Sequence, residues 1–222
     1  DRVATYDERS LYAELRGGLE LGTWGDLQLG LFRRNEDVVR DIGAPQLPEL
    51  RGYDDGGLLH EYERDTRDSD LWATRGSRQR LELQAADRAL GAERGYRTAL
   101  LELNYSRALE RALLFVDLAG GSAFGTPVPV QQAFRLGGPG ALTGFEYGEL
   151  RGAEFAYLQA GLGWRLVDVD PLLGMTLFAG GAIEAGNAWE RLDGTRGSGL
   201  LLGGRPVIGG PPPLRAGAAS RG

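Results

Sequence analysis

Residues 10–21 read Ser-Leu-Tyr-Ala-Glu-Leu-Arg-Gly-Gly-Leu-Glu-Leu, and every second residue of this stretch is apolar or glycine. Successive side chains of a β-strand point to opposite faces, so the stretch predicts a strand with one apolar and one polar face. The apolar face takes Leu11, Ala13, Leu15, Gly17, Leu19 and Leu21. Strands of soluble proteins usually hold about five or six residues, whereas a tilted strand that crosses a bilayer needs roughly ten. The length of the alternation therefore favours a membrane strand.

The same alternation recurs along the chain, for instance in residues 26–31, 80–85 and 101–105. Turn-forming residues separate the alternating segments and predict about ten strands. These strands are expected near 9–21, 24–34, 57–67, 76–90, 95–108, 112–121, 153–166, 174–187, 197–208 and 212–220. The predicted fold class is all-β, an antiparallel transmembrane β-barrel.

Composition excludes several classes of protein. The chain has 222 residues with 36 Gly and no Cys, so it offers neither disulfides nor thiolate ligands for a metal. No stretch approaches the roughly 20 apolar residues of a spanning helix. The net charge is −6, with acidic residues and Arg interspersed, and the basic patch of a nucleic-acid-binding protein is missing.

The connections between the predicted strands alternate between short and long. Residues 22–25 and 109–112 form tight turns, whereas 34–56 and 122–152 are long and rich in Gly, Pro and charge. Alternate connections of an antiparallel sheet lie at the same edge, so the long loops share one rim, as in outer-membrane barrels. Trp residues near predicted strand ends favour an aromatic girdle at the membrane interfaces. They are Trp24, Trp72, Trp164 and Trp189.

A Gly-rich motif lies between two predicted strands, from Phe134 to Gly152. It contains Leu136-Gly137-Gly138, then Leu142-Thr143-Gly144-Phe145. In these blocks the chain resembles the barrel of the bacterial surface antigen superfamily, and most closely the C-terminal barrel of patatin-like outer-membrane phospholipases. An upstream Asp65-Thr66-Arg67-Asp68 turn and a downstream Gly181 to Trp189 block are similar to other blocks of that family.

The resemblance implies that this loop folds into the barrel lumen. The expected lumen-loop motif consists of Leu136, Gly137, Gly138, Leu142, Thr143, Gly144 and Phe145. Thr143 stands where the assembly-factor branch has an Arg that contacts an acidic wall, which favours the patatin-type branch. We expect the glycines to adopt positive φ or to allow close packing. The resemblance also implies that residues 1–222 are one outer-membrane β-barrel domain, truncated at both ends, with about ten strands of a larger barrel.

Catalysis by this chain is not expected. The closest match to a G-x-S-x-G nucleophile elbow, residues 120–125, lacks the second Gly at the right spacing. Asp55-Gly56 resembles the Asp-Gly dyad of a patatin-type hydrolase, but it has no Ser partner in the same loop. His60 is the only His and is expected in the lumen or a loop, which excludes a multi-His metal site. We therefore predict no catalytic residue, no cofactor and no metal.

These observations favour a bacterial outer-membrane barrel region that anchors or translocates an upstream patatin-like lipase domain. The expected partners are outer-membrane lipid and an upstream periplasmic or passenger domain, with a possible homodimer and no nucleic acid. Two alternatives stay open. One is the barrel of an outer-membrane assembly or two-partner secretion pore, and the other is a soluble all-β binding domain.

Overall fold

The computed structural model describes residues 4–43, 52–70, 73–170, 175–189 and 203–208. These residues form eleven strands and three short 3₁₀ helices. The strands are β1 Ala4–Glu20, β2 Asp26–Gly43, β3 Tyr53–Asp65, β4 Arg75–Ala86, β5 Tyr96–Ala108, β6 Ala112–Ser122, β7 Phe134–Leu136, β8 Leu150–Gly152, β9 Glu154–Asp170, β10 Met175–Trp189 and β11 Gly203–Ile208. The 3₁₀ helices are η1 Gly22–Trp24, η2 Arg88–Leu90 and η3 Val130–Gln132. No helix of the described residues is long and apolar enough to span a membrane.

Nine of the described strands form one antiparallel sheet in the order β1-β2-β3-β4-β5-β6-β9-β10-β11. Each strand pairs with its neighbour in sequence, except that β6 pairs with β9 across the intervening β7 and β8. The small β7 and β8 pair only with each other in a second sheet. The predicted all-β, antiparallel fold is confirmed, and among the described residues β1 and β11 do not pair, so the sheet is not closed there. The predicted strand 212–220 lies outside the described residues.

The two faces of the sheet differ as the alternation predicts. Leu15, Leu31 and Leu58 occupy one cross-strand row and expose 73%, 47% and 54% of their surface. We call this side, which carries the exposed apolar rows, the apolar face. The opposite side, which we call the polar face, carries buried charged groups such as Glu61 and Glu102.

His60 lies on the apolar face, not in the lumen or in a loop as expected. It is a β3 residue two positions from Leu58, and it pairs with Leu29 of β2 and Leu83 of β4. The expectation failed because residue type suggested a polar location. The strand register, which the sequence does not state, places this side chain between two leucines.

The first two strands continue beyond the predicted boundaries. β2 extends to Gly43, although its alternation ends near Phe32. The next outward positions carry Arg33 and Asn35. Asn35 Nδ2 donates to Asp54 Oδ1 of β3 over 2.5 Å, and the Arg33 guanidinium lies 3.3 Å from the other Asp54 oxygen. Backbone pairing therefore continues where the apolar pattern stops, and the predicted loop 34–56 is mostly strand.

The connections alternate between two rims of the sheet. One end of the sheet, which we call the short-turn rim, carries the η1 turn, the described part of the β3–β4 connection (residues 66–70 and 73–74) and residues 109–111. The longer 66–74 turn is held by Asp68, whose Oδ1 accepts the backbone N–H groups of Thr74 (2.8 Å) and Arg75 (3.1 Å). Thr66 Oγ1 donates to the Ser77 carbonyl over 3.0 Å. The turn closes through these side-chain hydrogen bonds despite its length.

Only some of the tryptophans lie at strand ends, as predicted for an aromatic girdle. Trp24 lies in the η1 turn and exposes 74% of its surface. Trp164 lies within β9, not at its end, because β9 extends to Asp170; it nevertheless pairs with Ala112, the first residue of β6. Trp189 ends β10 at the opposite rim. Trp72 lies outside the described residues.

Candidate functional site

The connection between β6 and β9, residues 123–153, crosses the polar face of the sheet. At one extreme Val128 packs against a buried apolar cluster that includes Phe32 of β2, and Gln132 Nε2 donates to Glu36 Oε1 of the same strand over 3.3 Å. At the other extreme the loop reaches β10. The long Gly-rich segment therefore covers the polar face and does not form a free surface turn.

The centre of the loop packs against an apolar wall. Leu142 is 1% exposed and Leu136 is 3% exposed. The wall consists of Leu100, Ala119, Phe155, Tyr157 and Ala188, from β5, β6, β9 and β10. Phe145 and Phe134 are partly buried against the same cluster, and the ring centroids of Phe134 and Phe155 lie 5.0 Å apart. We call this cluster, together with Thr143 and Glu184, the loop-docking site.

Thr143 joins the loop to the wall through one carboxylate. Its backbone N–H donates to Glu184 Oε2 over 2.8 Å, and its hydroxyl lies 2.8 Å and 3.1 Å from the two carboxylate oxygens. Glu184 lies on β10 and is 2% exposed. Charge-assisted hydrogen bonds are stronger than those between neutral groups, so this contact fixes the loop on the strand. An acidic residue of the wall thus faces the position where the assembly-factor branch has an Arg.

The wall beside Glu184 has more acceptors than donors. Asp117, Gln159 and Glu184 occupy one row of the polar face. Asn104 Nδ2 donates to Asp117 Oδ1 and Gln159 Nε2 donates to Glu184 Oε1, each over 2.8 Å. Asp117 Oδ2 and Gln159 Oε1 are buried without a hydrogen-bond partner among the described residues. A basic side chain at position 143 would find acceptors here.

Two of the three singled-out glycines of the motif have the expected backbone. Gly137 has φ +124° and Gly138 has φ +96°, and a Cβ on Gly137 would lie 2.4 Å from the Glu146 carbonyl oxygen. Gly144 is different, because it is exposed and its φ is not positive. A positive φ is therefore found at Gly137 and Gly138 and not at Gly144. On the wall, a Cβ on Gly186 would lie 3.1 Å from Leu136 Cδ2, which shows how closely the loop approaches β10.

A second polar cluster lies on the same face and does not involve the loop. Arg80 of β4 forms ion pairs with Glu61 (3.1 Å), Glu82 (2.6 Å) and Glu102 (3.2 Å). Arg16 of β1 also reaches Glu61, over 2.9 Å. We call these five residues the Arg80 network. The network links β1, β3, β4 and β5, and sequence alternation predicted the polar face but not these partners.

Asp55 and Ser122, the two residues that resemble parts of a hydrolase site, lie far apart in the sheet. Asp55 is fully buried in β3, where its carboxylate accepts hydrogen bonds from the Tyr96 hydroxyl and, over 2.9 Å, from the Gly56 N–H. Ser122 ends β6, and β4 and β5 lie between these two strands. The Ser122 hydroxyl accepts the Phe124 N–H over 3.1 Å. Among the described residues, no group of His, Asp or Glu is arranged to hold a metal ion.

The open antiparallel sheet, with its exposed apolar face and its covered polar face, is consistent with a fragment of an all-β barrel. The model of the Omp85 superfamily domain matches residues 4–183, so the chain belongs to the Omp85 superfamily. Members of this superfamily are outer-membrane proteins of Gram-negative bacteria, which supports the predicted localisation. The resemblance to the bacterial surface antigen superfamily is thereby confirmed at the level of the superfamily. A search of curated proteins finds no match to the chain.

Proposed function

We propose that this chain is the membrane-embedded region of a larger outer-membrane protein, and that it anchors or translocates an upstream patatin-like lipase domain without catalysing a reaction itself. Membership of the Omp85 superfamily supports a general role as an outer-membrane β-barrel in translocation. The observation that carries the proposal is the loop docked on the polar face through Thr143 and Glu184. A loop held in this position controls passage along the face that lines a barrel.

The patatin-type assignment rests on the sequence of the loop. Thr143 contacts the acidic wall with a neutral hydroxyl and a backbone N–H, where the assembly-factor branch has a charged Arg. A neutral contact holds the loop without neutralising the Glu184 charge. We expect this difference to separate an anchoring barrel from an assembly pore, whose loop carries the charged residue.

The test uses the complete protein produced from its gene. The proposal expects a G-x-S-x-G elbow and an Asp-Gly dyad before residue 1, and ester hydrolysis that is lost when the elbow Ser is replaced by Ala. The matched control is Ser122→Ala, which should leave hydrolysis unchanged because Ser122 ends a strand of the barrel. Periplasmic repeat domains in place of a lipase would contradict the patatin assignment and favour the secretion or assembly pore.

The soluble alternative is tested by the exposed apolar face. A membrane region needs detergent or lipid to stay monomeric, because rows such as Leu15, Leu31 and Leu58 are exposed. A complete protein that is monomeric in buffer without detergent would contradict the membrane assignment. The proposed homodimer is tested in the same experiment, by the mass of the protein in detergent.

A further inference from the structure

Three arginines point outward from the strand ends at the short-turn rim. Arg64 of β3 lies two residues beyond Tyr62 and six beyond the exposed Leu58, so all three share the apolar face. Arg107 of β5 lies two residues beyond the exposed Tyr105. Arg75, the first residue of β4, pairs with Arg107 across the sheet. We call Arg64, Arg75 and Arg107 the rim arginines.

Two other arginines near the same rim form ion pairs, unlike Arg75 and Arg107. Arg78 pairs with Glu63 over 2.7 Å and Arg67 pairs with Asp65 over 2.6 Å. The side chains of Arg75 and Arg107, by contrast, form no ion pair within the part of the chain that the structure describes. Like charges directly opposite each other in a sheet repel, so this arrangement favours an anion between or beside the two guanidinium groups.

The outward positions of these strand ends supply no such anion. On β3, β4 and β5 they carry Tyr62, Arg64, Arg75, Ser77, Gln79, Leu103, Tyr105 and Arg107. The nearby Asp65 is paired with Arg67, and Asp68 accepts hydrogen bonds from its own turn. Glu110 follows Arg107 in the 109–111 turn, but the two side chains form no ion pair in the part of the chain that the structure describes. The rim arginines therefore have no ion-paired carboxylate among the described residues, and their charge is free to attract an anion from outside the protein.

Aromatic residues lie at the same rim as the rim arginines. The Tyr62 hydroxyl donates to the Trp24 carbonyl over 2.6 Å, and Trp164 is 55% exposed beside the start of β6. Tyr and Trp concentrate at membrane interfaces, and Arg extends its charged end from there toward the lipid headgroups. A guanidinium group matches the geometry of phosphate through paired hydrogen bonds.

We propose that Arg75 and Arg107, assisted by Arg64, bind the phosphate groups of acidic phospholipids in the leaflet at the short-turn rim. Short turns of outer-membrane barrels lie on the periplasmic side, where glycerophospholipid is the available anion. The lipid contact of the apolar face is thus completed by a charged site at its edge. This inference goes beyond the proposed function and depends only on the placement of the chain in the outer membrane.

The experiment compares two lipids on the complete protein folded into phosphatidylcholine vesicles. Quenching of Trp fluorescence by brominated phosphatidylglycerol and by brominated phosphatidylcholine gives the relative binding constant of the acidic lipid. The variants are Arg75→Gln with Arg107→Gln, and Arg78→Gln as the matched control. The control removes one positive charge from the same rim, but on the polar face.

The unmodified protein should prefer phosphatidylglycerol, and the preference should fall about fivefold for each rim arginine removed. Arg78→Gln should keep the preference. Raising the ionic strength should weaken the preference of the unmodified protein and leave the double variant nearly unchanged. Equal preference for both lipids in the unmodified protein, or an equal loss in Arg78→Gln, would overturn the proposal. Because the readout is a ratio measured on folded protein, a moderate loss of stability does not obscure it.

Discussion

The loop-docking site and the Arg80 network lie on the same face of one sheet, yet they satisfy its polar groups by different means. In the Arg80 network the strands supply both charges, and one guanidinium serves three carboxylates. At the loop-docking site the wall offers mainly apolar groups and acceptors, and Thr143 of the loop supplies donors to Glu184. The difference indicates that the loop is needed where the strands lack their own counter-charges.

The largest effect is expected from removing the centre of the Arg80 network. Arg80→Gln leaves Glu61, Glu82 and Glu102 close together without their shared cation, and we expect a loss of about 4 kcal/mol of unfolding free energy. The measurement is urea unfolding of the complete protein in lipid vesicles. Arg78→Gln is the control, because Arg78 pairs with one carboxylate, Glu63, and both side chains are less buried than the network, so the pair should contribute about 1 kcal/mol. Similar losses in both variants would show that the network has no special role.

A somewhat smaller effect is expected at the loop-docking site. Leu142→Ala removes a side chain that is 1% exposed and should cost about 3 kcal/mol by leaving a cavity against the wall. Tyr147→Ala in the same loop is the control, since Tyr147 is 76% exposed and should change little. If both variants unfold at the same urea concentration as the unmodified protein, the loop does not contribute packing energy.

The polar contact of the loop should contribute less than its apolar contact. Thr143→Val removes the hydroxyl but keeps the backbone N–H on Glu184, and the expected cost is about 1 kcal/mol. Thr143→Arg should be tolerated, because Glu184 and the unpartnered oxygens of Asp117 and Gln159 can accept from a guanidinium. In a Glu184→Gln background, Thr143→Val should still cost some unfolding free energy, although less, because the amide oxygen of Gln can still accept a hydrogen bond from the Thr143 hydroxyl. Strong destabilisation by Thr143→Arg would contradict an acceptor-rich wall.

The smallest effect is expected in the 66–74 turn, outside both regions. Burial opposes ionisation of Asp68, but hydrogen bonds from Thr74 and Arg75 outweigh it and lower the pKa below its usual 3.8. A lowered folded pKa stabilises the fold above the unfolded pKa, and this contribution is lost as the pH falls through the folded value. Unfolding between about pH 5 and pH 2 should therefore depend more on pH in the unmodified protein than in Asp68→Asn. An identical pH dependence in the two proteins would show that ionised Asp68 does not stabilise the fold.

Much of the sheet could be predicted because the residues that face outward are apolar and alternate with polar ones along each strand. Leu15 and Leu83 were expected on the apolar side and lie there, 73% and 36% exposed. The extension of β2 was not predicted, because the outward residues Arg33 and Asn35 interrupt the apolar alternation. The backbone pairing with β3 nevertheless continues. His60 was misplaced for a related reason, since only the strand register shows that its neighbours are leucines.

The sequence predicted which loop residues would be packed, but not the residues of the sheet that they contact. Leu136 and Leu142, set among glycines, indicated a packed segment. The partner of Thr143 lies 41 residues away on β10, and the alternation of β10 shows that Glu184 is on the polar face without showing what it binds. The Arg80 network is similar, because Arg80 and Glu102 meet through a register that local sequence does not specify.

The packing of the loop on the polar face is tested most directly by thiol labelling. The chain has no Cys, so single cysteines can be placed at Leu142 and, in a second variant, at Tyr147 of the same loop. The rate of labelling by a membrane-impermeant thiol reagent is compared in the folded, vesicle-inserted protein. We predict rapid labelling at position 147, which is 76% exposed, and strong protection at position 142, which is 1% exposed. Equal labelling rates at positions 142 and 147 in the otherwise unmodified protein would contradict the docked loop.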